Sequence, residues 1–259
     1  MFSYKNIVVQ EQNIIRADML QQSILYPAEL VNLMFQRYSD GIIEGADIIK
    51  ATDSEITISP GLIKYNNRIY HTNEISHIRY QKNNTRNYLK IRFLDRELVA
   101  NGEVFNTEIV LSETEECFPY EFEIARFVPD KGATLCVKPD TFESLSIEHN
   151  HIDVRYAKYA AIDKPTISPL ITTVFAKDMM EADMKEDIDM AFVFTCLEYK
   201  QVNRDQISAY ISYKRKNKKL EYTNAEIYTE LLQILKETKQ NRGMQRNDRQ
   251  RSFRSIIVD

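Results

Sequence analysis

The chain has 259 residues, 43% of them apolar and 28% charged, with a formal net charge of −4. That length supports one sizeable hydrophobic core or two small ones, and the balance is that of a soluble globular protein. It excludes a generally basic nucleic-acid coat, and no apolar run approaches the roughly 18 residues that suggest a membrane span.

In chain order, residues 2–10 read as a short strand or extended arm. Asp18 then offers an N-cap for a helix through about Tyr38, with Leu20, Ile24, Leu25, Leu30, Leu33, Met34 and Phe35 at helical spacing. Pro27 removes a backbone donor, which predicts a kink or two helices meeting at Tyr26-Pro27. Short β-branched runs follow at 42–50, 55–59, 62–65 and 68–70. They are punctuated by Asp40-Gly41, Gly45, Pro60-Gly61 and Asn66-Asn67, the candidate structural turns. Further on, 88–94, 108–111 and 121–128 alternate apolar and polar residues, as antiparallel strands with one wet face do. The spacing predicts a small sandwich or open barrel.

From about residue 165 the period becomes helical. Ser168 and Pro169 begin a helix over 170–180, and further helical segments cover 185–199 and 205–213. Thr223, with Glu226 three residues on, has capping-box spacing ahead of the stripe Ile227, Leu231, Ile234 and Leu235. Residues 240–254 are polar and basic without apolar periodicity. The expected fold is therefore α+β, divided into an N-terminal arm and helix (1–39), a β-rich domain (40–164), a helical subdomain (165–240) and a basic flexible tail (241–259).

Signatures of chemistry are missing from the sequence. It has no Gly-x-Ser-x-Gly, no phosphate-binding Gly-x-x-x-x-Gly-Lys and no His-Glu-x-x-His, and its six glycines leave little material for phosphate-cradling loops. Cys117, Cys136 and Cys196 are widely spaced, which reads as reduced, partly buried thiols. His149, His151 and Asp153, beside Glu148, share one face if the segment is a strand. That is the sole support for a metal-dependent hydrolase, against the plainer reading of a polar strand edge. The acidic stretch from Asp178 to Asp189 interleaves with Met179, Met180, Met184, Ile188 and Met190, a pattern expected of a solvated face backing a buried methionine face, with partner docking as the alternative. Lys214 to Lys219 and the basic tail are the electrostatic outliers. No aromatic platform accompanies the first run, so protein docking outranks nucleic acid. In the tail, Arg242, Arg246, Arg249, Arg251, Phe253, Arg254, Ile256 and Ile257 are candidate docking residues that order against a neighbour.

Three blocks also carry a resemblance. Tyr38–Ile49 followed by Ile56–Tyr70, then Tyr120–Phe127 followed by Lys131–Leu135, then Ile152–Ala160 followed by Lys164–Pro169, resemble in sequence and order the baseplate and tail-fibre-connecting proteins of contractile bacteriophage tails and related bacteriocin-type particles. Asn66-Asn67 stands where that pattern has a glycine. The resemblance spans about residues 15 to 180. It implies a structural, non-enzymatic component without cofactor or metal, bound to other baseplate subunits and a receptor-binding fibre, in several copies per particle. It further implies assembly in the bacterial cytoplasm and a place in a virion or released particle, with no membrane involved.

Overall fold

The computed structural model of the protein describes residues 17–100, 102–199, 201–217, 219 and 221–254, with 17–18 and 241–254 as backbone alone. Helix α1 spans Ala17–Met34 and contains Pro27. Of the two alternatives at Tyr26-Pro27, two separate helices are thus not found, since one helix runs through the proline, and Asp18 lies within it rather than capping it. Leu, Gln, Ala and Glu residues on both sides are strong helix formers and propagate it past one missing donor.

Eleven strands follow among the described residues: β1 Gly41–Gly45, β2 Ile48–Ala51, β3 Glu55–Ile58, β4 Gly61–Tyr65, β5 Arg68–Thr72, β6 Ser76–Arg79, β7 Asn87–Phe93, β8 Glu97–Val99, β9 Gly102–Val104, β10 Thr107–Ser112 and β11 Glu121–Phe127. They form three antiparallel three-stranded sheets in the orders β1-β4-β5, β2-β3-β6 and β10-β7-β11, plus the hairpin β8-β9. None closes into a barrel. The apolar run 42–50 is split between two sheets because Gly45 and Ala46 both have positive φ, 63° and 54°. Pro60-Gly61 likewise turns the chain from β3 in one sheet to β4 in another. Asn66 and Asn67, at φ 48° and 58°, close the β4–β5 hairpin in the left-handed conformation a two-residue turn demands. Ile42, Ile56, Leu89 and Ala125 are fully enclosed between the sheets. Tyr65 stacks on Phe93 and both meet Phe122 edge to face, with ring centroids 4.0 to 5.5 Å apart.

Helices α2 Pro169–Met180, α3 Asp187–Glu198, α4 Arg204–Arg215 and α5 Asn224–Arg254 enclose a second core. Phe142, Phe175, Ile171, Ile207 and Leu231 lie at its centre. Burying each such side chain contributes about 1.5–3 kcal/mol. Phe142, just before the 3-10 turn Glu143–Ser146, and Leu145 within it belong to this helical core although they precede residue 165. Residues 128–168 mostly run irregularly between the cores, held by single bridges such as Val128 to His149 and Tyr159 to Thr166. Backbone of the basic segment is helical to Arg254, where the sequence reads as an aperiodic flexible tail. Gln, Arg and Met are good helix formers, and a long capped helix extends into them at little cost.

Candidate assembly surface

Among the described residues, helix α1 is held at one end and bare along its length. Its C-terminal carbonyls are the groups a helix leaves without internal partners. Lys64, on the central strand β4 and only 6% exposed, donates from Nζ to the carbonyls of Phe35 (2.8 Å), Gln36 (3.0 Å) and Tyr38 (2.7 Å). A cation there also complements the negative end of the helix dipole. Ser39 N–H donates to the Ala161 carbonyl at 2.9 Å, and Arg37 pairs with Asp163 at 2.9 Å. The base of the helix is therefore tied into the sheet and into the strap that leads to the helical core.

Beyond that base the apolar residues face solvent: Leu20, Ile24 (71% exposed), Leu30, Leu33 (67%) and Met34. A surface helix normally turns such residues inward and charges outward. Here Asp18 and Glu29 are the sole charges between Ala17 and Met34. Between α1 and the β4–β5 hairpin lies an open cleft of about 1240 Å³, lined by Ile24, Pro27, Val31, Tyr70 and Phe105 among others. Strand β5 forms one edge of its sheet, so one side of its backbone has no strand partner.

Of the candidate turn residues, Pro60, Gly61 and Asn67 line this cleft. Asp40 immediately precedes β1. Gly41 (φ 148°) lies against the backbone of Lys158–Ala160, where an added Cβ falls 2.7 Å from Ala160 N. Gly45 and Gly61 face each other across β1 and β4. A Cβ on Gly45 falls 2.0 Å from the Pro60 carbonyl oxygen, and one on Gly61 falls 2.6 Å from Ala46 N. The side chains of the docking candidates Arg242, Arg246, Arg249, Arg251, Phe253 and Arg254, and the whole of Ile256 and Ile257, lie outside the described residues.

The other constellations resolve into separate pairs. His149 faces Asp130 at 2.9 Å, His151 Nδ1 lies 3.0 Å from the His149 carbonyl, Glu148 accepts from Arg86 at 2.8 Å, and Asp153 accepts from Arg155. Among the described residues, no three His, Cys, Asp or Glu side chains stand together as a metal set. In the basic run, Lys214 pairs with Glu186 and Asp189, Arg215 with Glu230 and Glu237, and Lys219 with Glu226. The acidic stretch is not the simple solvated face expected. Asp178 and Asp189 are buried, the first accepting from Phe142 N–H and Lys239, the second from Tyr210 and Lys214. Met180 and Met190 point outward instead. Of the cysteines, Cys117 is exposed, Cys136 partly buried and Cys196 buried, where burial pushes its thiol up to about 12.

Lys64 escaped sequence reasoning, as did Lys90, buried with Nζ donating to the Thr114 and Glu116 carbonyls. A lysine counts as a solvent residue in any hydropathy pattern. The available signal was positional, since both sit within short apolar strands.

No protein-family model and no curated protein matches this chain. Several solved structures are similar to it, two of them at the following low identities. One is a crystal structure of TssK, at 10% identity and a TM-score of 0.38, with 89% of this chain and 67% of that chain covered. The other is a chain of the type VI secretion system TssK–TssF–TssG baseplate subcomplex, at 9% identity and a TM-score of 0.44, with 92% and 100% covered. Likeness at that level leaves function to be argued from this chain's own residues.

Proposed function

We propose that the chain is a structural, non-catalytic baseplate component of a contractile tail or tail-like injection particle. It links the baseplate body to adjoining subunits or to a receptor-binding fibre. The observation that carries this reading is α1, an apolar helix seated at its base by Lys64 and left exposed over its length by the described residues. Such a surface costs free energy in water and is stabilised when a neighbour covers it. The order of the three sequence blocks supplies the class of assembly. Closed symmetric tails repeat each contact, so several copies per particle follow. Internal pairs weigh against the two alternatives among the described residues: the histidine cluster faces Asp130 and Arg86 rather than a shared metal, and in the first basic run Lys214, Arg215 and Lys219 are each paired with carboxylates.

The test is incorporation. Particles are sedimented from cells carrying tagged wild type or the double substitution Ile24→Lys with Leu33→Lys. Wild type is expected to co-sediment with sheath and baseplate proteins, and the variant to remain at the top of the gradient while still folded. Wild type absent from particles, or the variant incorporated normally, overturns the reading.

A further inference from the structure

Helix α3 is apolar on two faces. Its inward face sets Phe192, Val193 and Cys196 into the helical core. Its outward face, at one-turn spacing, carries Met190 (45% exposed), Phe194 (60%) and Leu197 (43%). Asp187 and Glu198 close that stripe at its ends, and α3 contains no lysine or arginine. The stripe leads into a half-open cavity of about 540 Å³, whose lining includes Leu197, Tyr199, Ile48 and Ile49. Among the described residues of its lining, the acids Glu44, Asp47 and Glu198 stand against the base Lys138. The surface calls for a segment that is both apolar and basic.

The chain contains one. Residues 241–259 carry five arginines against Asp248 and Asp259, and finish in Phe253, Ile256, Ile257 and Val258. Geometry decides which copy's tail fits. Helix α5 starts beside Ala157, to whose carbonyl Asn224 donates, and passes Asp178 at the C-terminal end of α2, where Lys239 pairs with it at 3.1 Å. It then continues as helix to Arg254, about 20 Å further at 1.5 Å per residue. The cavity lies at the other end of α2, beside Ser168, Pro169 and Leu170. A continuous helix leaving at Asp178 therefore heads away from its own cavity.

We propose that the α3 stripe and its cavity receive the C-terminal segment of a second copy of this chain. Terminal hydrophobes enter the cavity, and arginines meet the acidic rim. This does not depend on which larger assembly the chain joins.

Complementation between two full-length variants tests it. Phe194→Asp spoils the acceptor face, and Phe253→Asp with Ile257→Asp spoils the tail. In sedimentation velocity, wild type is expected to self-associate, more weakly as salt rises, and each variant at least tenfold more weakly. Mixing the two variants should restore a 1:1 complex, since each keeps the half the other lacks. A monomeric wild type, variants that associate like wild type, or a mixture that stays monomeric overturns the proposal. Melting curves accompany each variant, and Met190→Asp replaces Phe194→Asp if the latter lowers the midpoint.

Discussion

Lys64 shows how one side chain orders a larger element. Its ammonium has three donors and meets three carbonyls, all from the turn that ends α1. Lys64→Met keeps the stem and removes every donor, leaving those carbonyls facing a buried apolar terminus. Hydrogen bonds to a charged donor are worth about 1.5–3 kcal/mol each, and partial rehydration recovers some of the loss. Urea unfolding should therefore show a decrease of about 2–4 kcal/mol, by the same bond energies. Gly61 makes a second residue-scale case, with ordinary φ and no space. A Cβ there meets the Ala46 backbone at 2.6 Å, and backbone cannot step aside as a side-chain tip can. Gly61→Val should lower the thermal midpoint sharply, with Lys50→Val, at an exposed position of β2, as control. An equal, small effect of both would refute the crowding argument.

At the scale of elements, α5 has the clearest start signal. Thr223 Oγ1 accepts from Glu226 N–H at 3.2 Å, and the Glu226 carboxylate accepts from Thr223 N–H at 2.8 Å. The Lys219 ammonium first, then that backbone donor, hold the Glu226 carboxyl down at about 2, against an ordinary 4.5. A carboxyl depressed on folding stabilises the fold above its ordinary range. That contribution falls away as pH drops from about 4.5 through about 2. Glu226→Gln keeps an acceptor for Thr223 N–H but no longer titrates. Its stability should depend less on pH across that window than wild type's, as acid titration of the melting midpoint will show. Helix α1 gives the opposite case, because the described residues leave most of its apolar face exposed. Ile24→Lys should leave the melting midpoint of the isolated chain within about a degree or two, as substitutions at exposed sites usually fall within ±0.5 kcal/mol.

For the whole molecule, the question is whether two cores unfold as one. Val154 packs against both. The Gln201 amide reaches the Ile42 and Ile43 carbonyls, Thr166 Oγ1 donates to the Val202 carbonyl at 2.6 Å, and Arg204 ties Pro165 to Tyr222. So many polar ties across the strap predict one cooperative transition. Urea curves from far-ultraviolet dichroism, weighted to the helices, and from tyrosine fluorescence, with emitters in both cores, should coincide. Two separated midpoints would show that the strap does not couple them. Chelators should leave those curves unchanged, and metal analysis should find no stoichiometric ion, because the Glu148–Asp153 cluster is spent on Arg86, Asp130 and Arg155.

Local rules are written residue by residue, and to that extent the sequence alone determined the α+β order of elements, the Asn66-Asn67 hairpin, the strands β7, β10 and β11, and the capped start of α5. Each follows from backbone conformation or side-chain period within a few positions, although β7 and β11 are buried on both faces where their alternation predicts one wet face. Tertiary structure decided what lies between them. It split 42–50 across two sheets, placed Phe142 in the helical core, buried Lys64, Lys90, Asp178 and Asp189, and left the apolar residues of α1 and α3 outside. Periodicity marks a residue as able to be buried. Whether it is buried depends on which surfaces arrive from distant parts of the chain, and a charged group goes inside only where such surfaces bring enough partners to offset its lost hydration.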